Sequence, residues 1–139
     1  MSRLADSPSP IHAQLLHGRV LVVDDNVDHR NMLMLFLVRA GADVVCAENG
    51  QQALEIVERT LRSDAKIDLV VTDLMMPGMN GTDLAEAVRD RGWTIPLIAC
   101  SAAVMPEEQA ACLSAGCNAF VPKPIRRMDF LETCAEWLR

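Results

Sequence analysis

Five times in succession this chain sets a short apolar run, too short for a helix, ahead of a longer stretch with apolar residues at helical spacing. Arg19 to Val23 precedes Asn26 to Ala40, and Asp43 to Ala47 precedes Gly50 to Leu61. Leu69 to Thr72 precedes Thr82 to Arg89, Ile95 to Cys100 precedes Glu107 to Ala115, and Ala119 to Val121 precedes Arg126 to Leu138. Strand then helix, repeated, implies a parallel sheet, because each crossover helix returns the chain to start the next strand in the same direction. The runs are rich in Val, Leu and Ile without period-two alternation, as expected when helices cover both faces. The expected fold is α/β, a three-layer sandwich around a five-stranded parallel sheet, formed by residues 18–139 as one domain. Residues 1–17 hold Ser7-Pro-Ser-Pro10 and little periodicity, and read as a flexible leader or linker in which Ile11, Leu15 and Leu16 are the apolar residues.

Composition narrows the function classes. A chain of 139 residues with 50% hydrophobic residues needs no covalent staples to bury a core. Its net charge of −6 lacks the broad basic face that duplex binding requires, and aromatics at 4% offer no stacking platform for single strands. Nucleic acid is therefore not an expected partner. No apolar run approaches the length of a membrane span and the start does not resemble a signal peptide, so a cytoplasmic location is expected. The five cysteines (46, 100, 112, 117, 134) are odd in number and scattered, and read as reduced thiols rather than a disulfide framework or a zinc site.

In open parallel sheets, ligands sit beyond the carboxyl ends of the strands, where the strand order reverses. Asp24 and Asp25 stand after the first run, Asp73 after the third, Ser101 after the fourth and Lys123 after the fifth. If the strand order is 2-1-3-4-5, the first and third strands are neighbours and the three aspartates meet. Three carboxylates at one edge repel one another and either raise a pKa or recruit a divalent cation. An all-oxygen donor set suits Mg2+. A carboxylate nucleophile, a lysine and a hydroxyl beside such a cation are the parts that stabilise a transferring phosphoryl group.

Each residue alone has a plainer reading. Asp24 and Asp25 fit a solvated turn in which Asp25 or Asn26 caps the next helix. Asp73 fits a turn initiator, Ser101 a helix N-cap and Lys123 a surface lysine. Their joint occurrence at successive strand ends favours the functional reading.

From Arg19 to Leu138 the chain resembles the receiver domains of two-component response regulators and hybrid histidine kinases. Four segments carry the resemblance: Val20-Leu-Val-Val-Asp24-Asp25-Asn26, then Asp68-Leu-Val-Val-Thr-Asp73-Leu-Met-Met-Pro77-Gly-Met-Asn-Gly81, then Pro96-Leu-Ile-Ala-Cys-Ser101-Ala, and Phe120-Val-Pro-Lys123-Pro124. The resemblance implies a flavodoxin-like fold with strand order 2-1-3-4-5 and a phosphoacceptor role in a phosphorelay. Asp73 is then the acceptor, forming an aspartyl phosphate with a phosphoryl group from a partner phosphohistidine. Mg2+ is held by Asp25, Asp73 and the Met75 backbone carbonyl, with Asp24 acting largely through water. Ser101 and Lys123 contact the phosphoryl oxygens, Lys123-Pro124 is the family's typically cis pair, and Ser101 with Phe120 forms the switch. Pro77, Gly78 and Gly81 shape the loop after Asp73.

The same resemblance implies a histidine kinase or histidine phosphotransfer domain as phosphodonor, a downstream protein target, and room for a weak homodimer. The helix from Asn26, with His29, Arg30 and Met34, is the expected docking face; His29 itself reads as a solvated helix residue and not as a phosphodonor. Ser101 stands where Thr is commoner, and Phe120 where Tyr is. Met75 and Ala103, two residues after Asp73 and Ser101, offer no polar handle on an attacking water, so phosphoryl lifetime is expected to depend on access and Mg2+. With no output domain after the last helix, output is expected through a partner or a parent chain. The alternatives are a receiver excised from a hybrid sensor kinase, a haloacid-dehalogenase-type phosphatase, and a degenerate receiver that only binds. The phosphatase class expects a second acid where Met75 stands, and the intact Asp, Asp, Ser and Lys set disfavours the degenerate form.

Overall fold

A computed structural model describes residues 16–102 and 105–138. Five strands form one parallel sheet in the order β2-β1-β3-β4-β5: β1 Arg19–Val23, β2 Asp43–Ala47, β3 Leu69–Asp73, β4 Leu97–Ser101 and β5 Ala119–Pro122. Between and after them run five helices, α1 Val27–Arg39, α2 Gly50–Thr60, α3 Gly81–Asp90, α4 Pro106–Ala115 and α5 Arg127–Trp137. The strand-and-helix alternation and the 2-1-3-4-5 order are as expected.

The missing alternation in the strands has its cause in two cores. Leu21, Val23, Val70, Leu97 and Ala99 face one way and pack with Leu54, Val57, Leu84, Val88 and Cys112 of α2, α3 and α4. Their strand neighbours Val20, Val22, Leu69, Val71, Ile98 and Cys100 face the other way, against Leu33 and Leu37 of α1 and Phe130, Leu131 and Cys134 of α5. The three central strands β1, β3 and β4 bury both faces, so neither set of their positions is polar, whereas the edge strands β2 and β5 are only partly covered. All five cysteines are free thiols, four of them buried.

Helix starts follow local chemistry. Asn26, Asn49 and Asn80 each accept a backbone N–H from the third residue onward through the side chain, capping α1, α2 and α3. At Asn80 the cap is reciprocal, since the Asp83 carboxylate accepts the Asn80 N–H. α4 instead begins with Pro106, whose missing N–H is no loss at that position.

Several boundaries move. β4 starts at Leu97 rather than Ile95, because Pro96 has no N–H to give the ladder and contributes its carbonyl to Val70 N instead. Asp73 and Ser101 are the last residues of β3 and β4 rather than the first residues after them. Leu16, counted above among the leader's apolar residues, is 1% exposed, packs in the α1/α5 core, and its N–H donates to Ala40 O at 3.0 Å. Ile11 and Leu15, like Ala103, lie outside the described residues.

Candidate phosphoacceptor site

The carboxyl ends of β1 and β3 are adjacent because Val23 pairs with Thr72. Asp24, Asp25 and Asp73 are thereby brought together, with one ligand oxygen from each lying within 4.8 Å of the others. Asp24 is 0% exposed and Asp73 7%, while Asp25 is open to solvent. Asp24 is thus no solvated turn, and it is Asn26, not Asp25, that caps α1.

Asp73 is held from three sides. Lys123, arriving from the end of β5, places Nζ 3.3 Å from Asp73 Oδ1, and the Met75 N–H approaches the same oxygen at 3.4 Å. Burial pushes the Asp73 carboxyl above its ordinary value; the Lys123 ammonium pulls it down, and the neighbouring Asp24 charge pushes it up again. From below, Gly81 closes the loop that follows: its N–H donates to Leu74 O at 2.9 Å, and a Cβ at Gly81 would stand 2.7 Å from the Asp73 carbonyl oxygen. Gly78, at φ +74, makes the turn that brings the chain back.

Ser101 closes the other side. It is buried at the end of β4, in register with Pro122, and its carbonyl accepts the Lys123 N–H at 2.9 Å. Neither the N-cap reading of Ser101 nor the surface reading of Lys123 survives: one ends a strand, the other is half-buried on a carboxylate. The Lys123–Pro124 peptide is cis. Phe120 is half-buried against the core cluster on the α2, α3 and α4 side of the sheet. Met75 projects to solvent at 62% exposure.

Two contacts to Asp24 have no counterpart in the sequence reading. His29 Nδ1 is hydrogen-bonded to Asp24 Oδ2, and Arg30 Nη1 donates to the Asp24 carbonyl at 2.8 Å. His29 is therefore not a plainly solvated helix residue, because its side chain is only 17% exposed. A signal was present: both residues lie in the first turn after the Asn26 cap, and that turn starts beside the acid pair.

The donor set fits Mg2+. It consists of carboxylate oxygens within reach of one ion, one of them solvent-facing, and includes no thiolate. Asp24, Asp25 and Asp73 are the residues that would hold it. A buried carboxylate with a lysine on one oxygen, beside two further acids, is equipped to accept a phosphoryl group.

Comparison with known proteins gives the class. The family profile described as Response regulator receiver domain matches residues 20–135. The chain belongs to the response regulator receiver domain family of two-component signalling. It is 35% identical over 128 residues to the sensory/regulatory protein RpfC of Xanthomonas campestris pv. campestris, covering 89% of this chain and 17% of RpfC. It is 32% identical over 124 residues to the sensor histidine kinase GacS of Pseudomonas protegens, covering 86% of this chain and 13% of GacS. The chain thus spans only a small part of those relatives. Among solved structures, chemotaxis protein CheY4 of Vibrio cholerae superposes with a TM-score of 0.79 at 27% identity, covering 88% of this chain and all of CheY4.

Proposed function

We propose that this receiver domain is a phosphoacceptor in a phosphorelay, with Asp73 taking a phosphoryl group from a phosphohistidine on a partner protein. The observation that carries the reading is the pairing of Lys123 Nζ with Asp73 Oδ1 at a point where Asp24 and Asp25 also converge. In the transfer, an Asp73 oxygen forms the new P–O bond as the P–N bond breaks, and the imidazole nitrogen leaves with the electron pair and takes a proton. Mg2+, when bound, offsets the charge of the acids and of the incoming phosphoryl oxygens. Lys123 fixes the Asp73 carboxylate beforehand and then pairs with a phosphoryl oxygen, while Ser101 supplies a hydroxyl from the end of β4. The Met75 carbonyl belongs to the same proposal as a further cation ligand.

The output is a population shift. An aspartyl phosphate adds a charge of about −1.5 to −2 and strong acceptor oxygens. Ser101 moves toward them, Phe120 turns into the space released, and the α4, β5 and α5 surface is remodelled for a downstream target. The chain acts as a signalling phosphoacceptor rather than a turnover enzyme, in the cytoplasm, with a histidine kinase or phosphotransfer domain docking beside α1. Among the described residues no helix is long and apolar enough to cross a membrane. Because Met75 is exposed and apolar, access and Mg2+ set the phosphoryl lifetime.

Incubation with acetyl phosphate or a phosphorylated histidine domain tests this. A label released by base and by hydroxylamine, as an acyl phosphate is, is expected on the natural chain, with no label on Asp73→Asn. Labelling of the Asn variant at the wild-type level overturns the acceptor assignment. Steady hydrolysis of a generic phosphate ester would favour the phosphatase alternative instead.

A further inference from the structure

Asp24 is tethered at every polar atom that the described contacts reach. Its Oδ1 accepts the Asn26 N–H at 2.9 Å, its Oδ2 is bonded to His29 Nδ1, its carbonyl accepts from Arg30 at 2.8 Å, and its own N–H donates to Ala47 O at 3.1 Å. Because a carboxylate oxygen accepts, the histidine tautomer at this contact carries its proton on Nδ1. The opposite ring nitrogen, Nε2, is buried without a hydrogen-bond partner among the described residues. An apolar side chain would fill that space with no such polar cost. The histidine is therefore better explained by what Nδ1 does than by packing.

We propose that His29 is a positioning residue that keeps Asp24 one water away from the cation and so makes the site selective for Mg2+ over Ca2+. This rests on the Mg2+ reading above. Mg2+ dehydrates reluctantly, keeps several waters and is held by one or two carboxylates; Ca2+ takes more oxygen ligands in looser geometry. Each Asp24 oxygen keeps a lone pair beyond its one hydrogen bond, so orientation is what holds it back: with the carboxylate turned to His29 and the Asn26 N–H, Asp25 and Asp73 are the two that ligate directly. Released from His29, the Asp24 carboxylate turns toward its neighbours, which already lie within 4.8 Å, and becomes a third direct anionic ligand. That enlarged oxygen set favours Ca2+.

The geometry also supplies the control. The Nδ2 of an asparagine sits the same number of bonds from the backbone as histidine Nδ1, so His29→Asn keeps the donor, whereas the similarly shaped His29→Leu removes it. Mg2+ and Ca2+ are titrated separately into the full chain and followed by backbone amide shifts. Outer-shell partners of metal ligands are worth about 10- to 100-fold in affinity. In His29→Leu the preference for Mg2+ over Ca2+, as a ratio of dissociation constants, should fall about tenfold. In His29→Asn it should stay within about twofold of the natural chain, far below that outer-shell range. An unchanged ratio in His29→Leu overturns the proposal while the Mg2+ reading stands, and so does an equal loss in both variants. A natural chain that binds neither ion overturns both. His29→Ala, which also lacks the donor, decides the matter should the Leu variant not fold.

Discussion

Replacing Gly81 by alanine sets two opposing effects against each other. Alanine is favoured over glycine inside a helix by about 1 kcal/mol, less at the first helical position where Gly81 sits. Against this, the new Cβ would lie 2.7 Å from the Asp73 carbonyl oxygen and 2.9 Å from Leu74 Cα. Both are backbone atoms and have no rotamer to escape into. Forcing a methyl into such a space costs about 1–3 kcal/mol, so the clash wins and a net loss of about 1–2 kcal/mol is expected. For a domain of this size that lowers Tm by about 3–10 °C. Gly50→Ala is the internal comparison, because there the Cβ meets side-chain atoms of Met79 alone: Sδ and Cγ, at 2.6 and 2.7 Å, move with a change of rotamer, and Cβ, at 3.1 Å, needs a shift of only a few tenths of an ångström. Calorimetry should therefore show a larger loss for Gly81→Ala than for Gly50→Ala. Because relief of the clash displaces the end of β3, the rate of phosphoryl incorporation into Asp73 should fall in the first variant and hold in the second. A Gly81→Ala chain as stable as the natural one, or a larger loss from Gly50→Ala, refutes the reasoning.

The Asp73 carboxyl titrates above its ordinary 3.8 when folded, chiefly through burial. Across the window from that value up to the folded one, the native state binds more proton than the unfolded state, so stability falls as pH rises. Urea denaturation in cation-free buffer should then show Asp73→Asn gaining on the natural chain from about pH 4 upward and levelling off once the folded carboxyl is ionised. Lys123→Ala removes the cation on Asp73 Oδ1, and should leave Mg2+ binding largely intact while blunting the amide shifts produced by beryllofluoride. Leu16→Ala should cost about 2–5 kcal/mol by denaturation, the range for a fully buried leucine, although the residue precedes the first strand.

Much of the site was legible because strand ends carry local signals. Short apolar runs with no alternation announce strands buried on both faces, and the residue that ends each run is then known to lie at one edge of the sheet. Asn26, Asn49 and Asn80 announce their helices in the same way, since capping satisfies an N–H only three residues along. Pro96 is a weaker signal, because an apolar run reads straight through it while its missing N–H delays the start of β4 from Ile95 to Leu97.

What the sequence alone determined is whatever a window of a few residues can express: which segments extend, which coil, where each stops, and that Asp24, Asp73, Ser101 and Lys123 end or follow strands. Which strand ends become neighbours has no local signature. The 2-1-3-4-5 order brings Lys123 to Asp73 across 50 positions, and packing alone decides it. The tertiary structure likewise decided that His29 turns in to Asp24 rather than out to water, and that Leu16 joins the core. It also decided that Gly81 must stay bare beneath Asp73. Each depends on what arrives from elsewhere in the chain, and burial free energy is set by those arrivals rather than by neighbours in sequence.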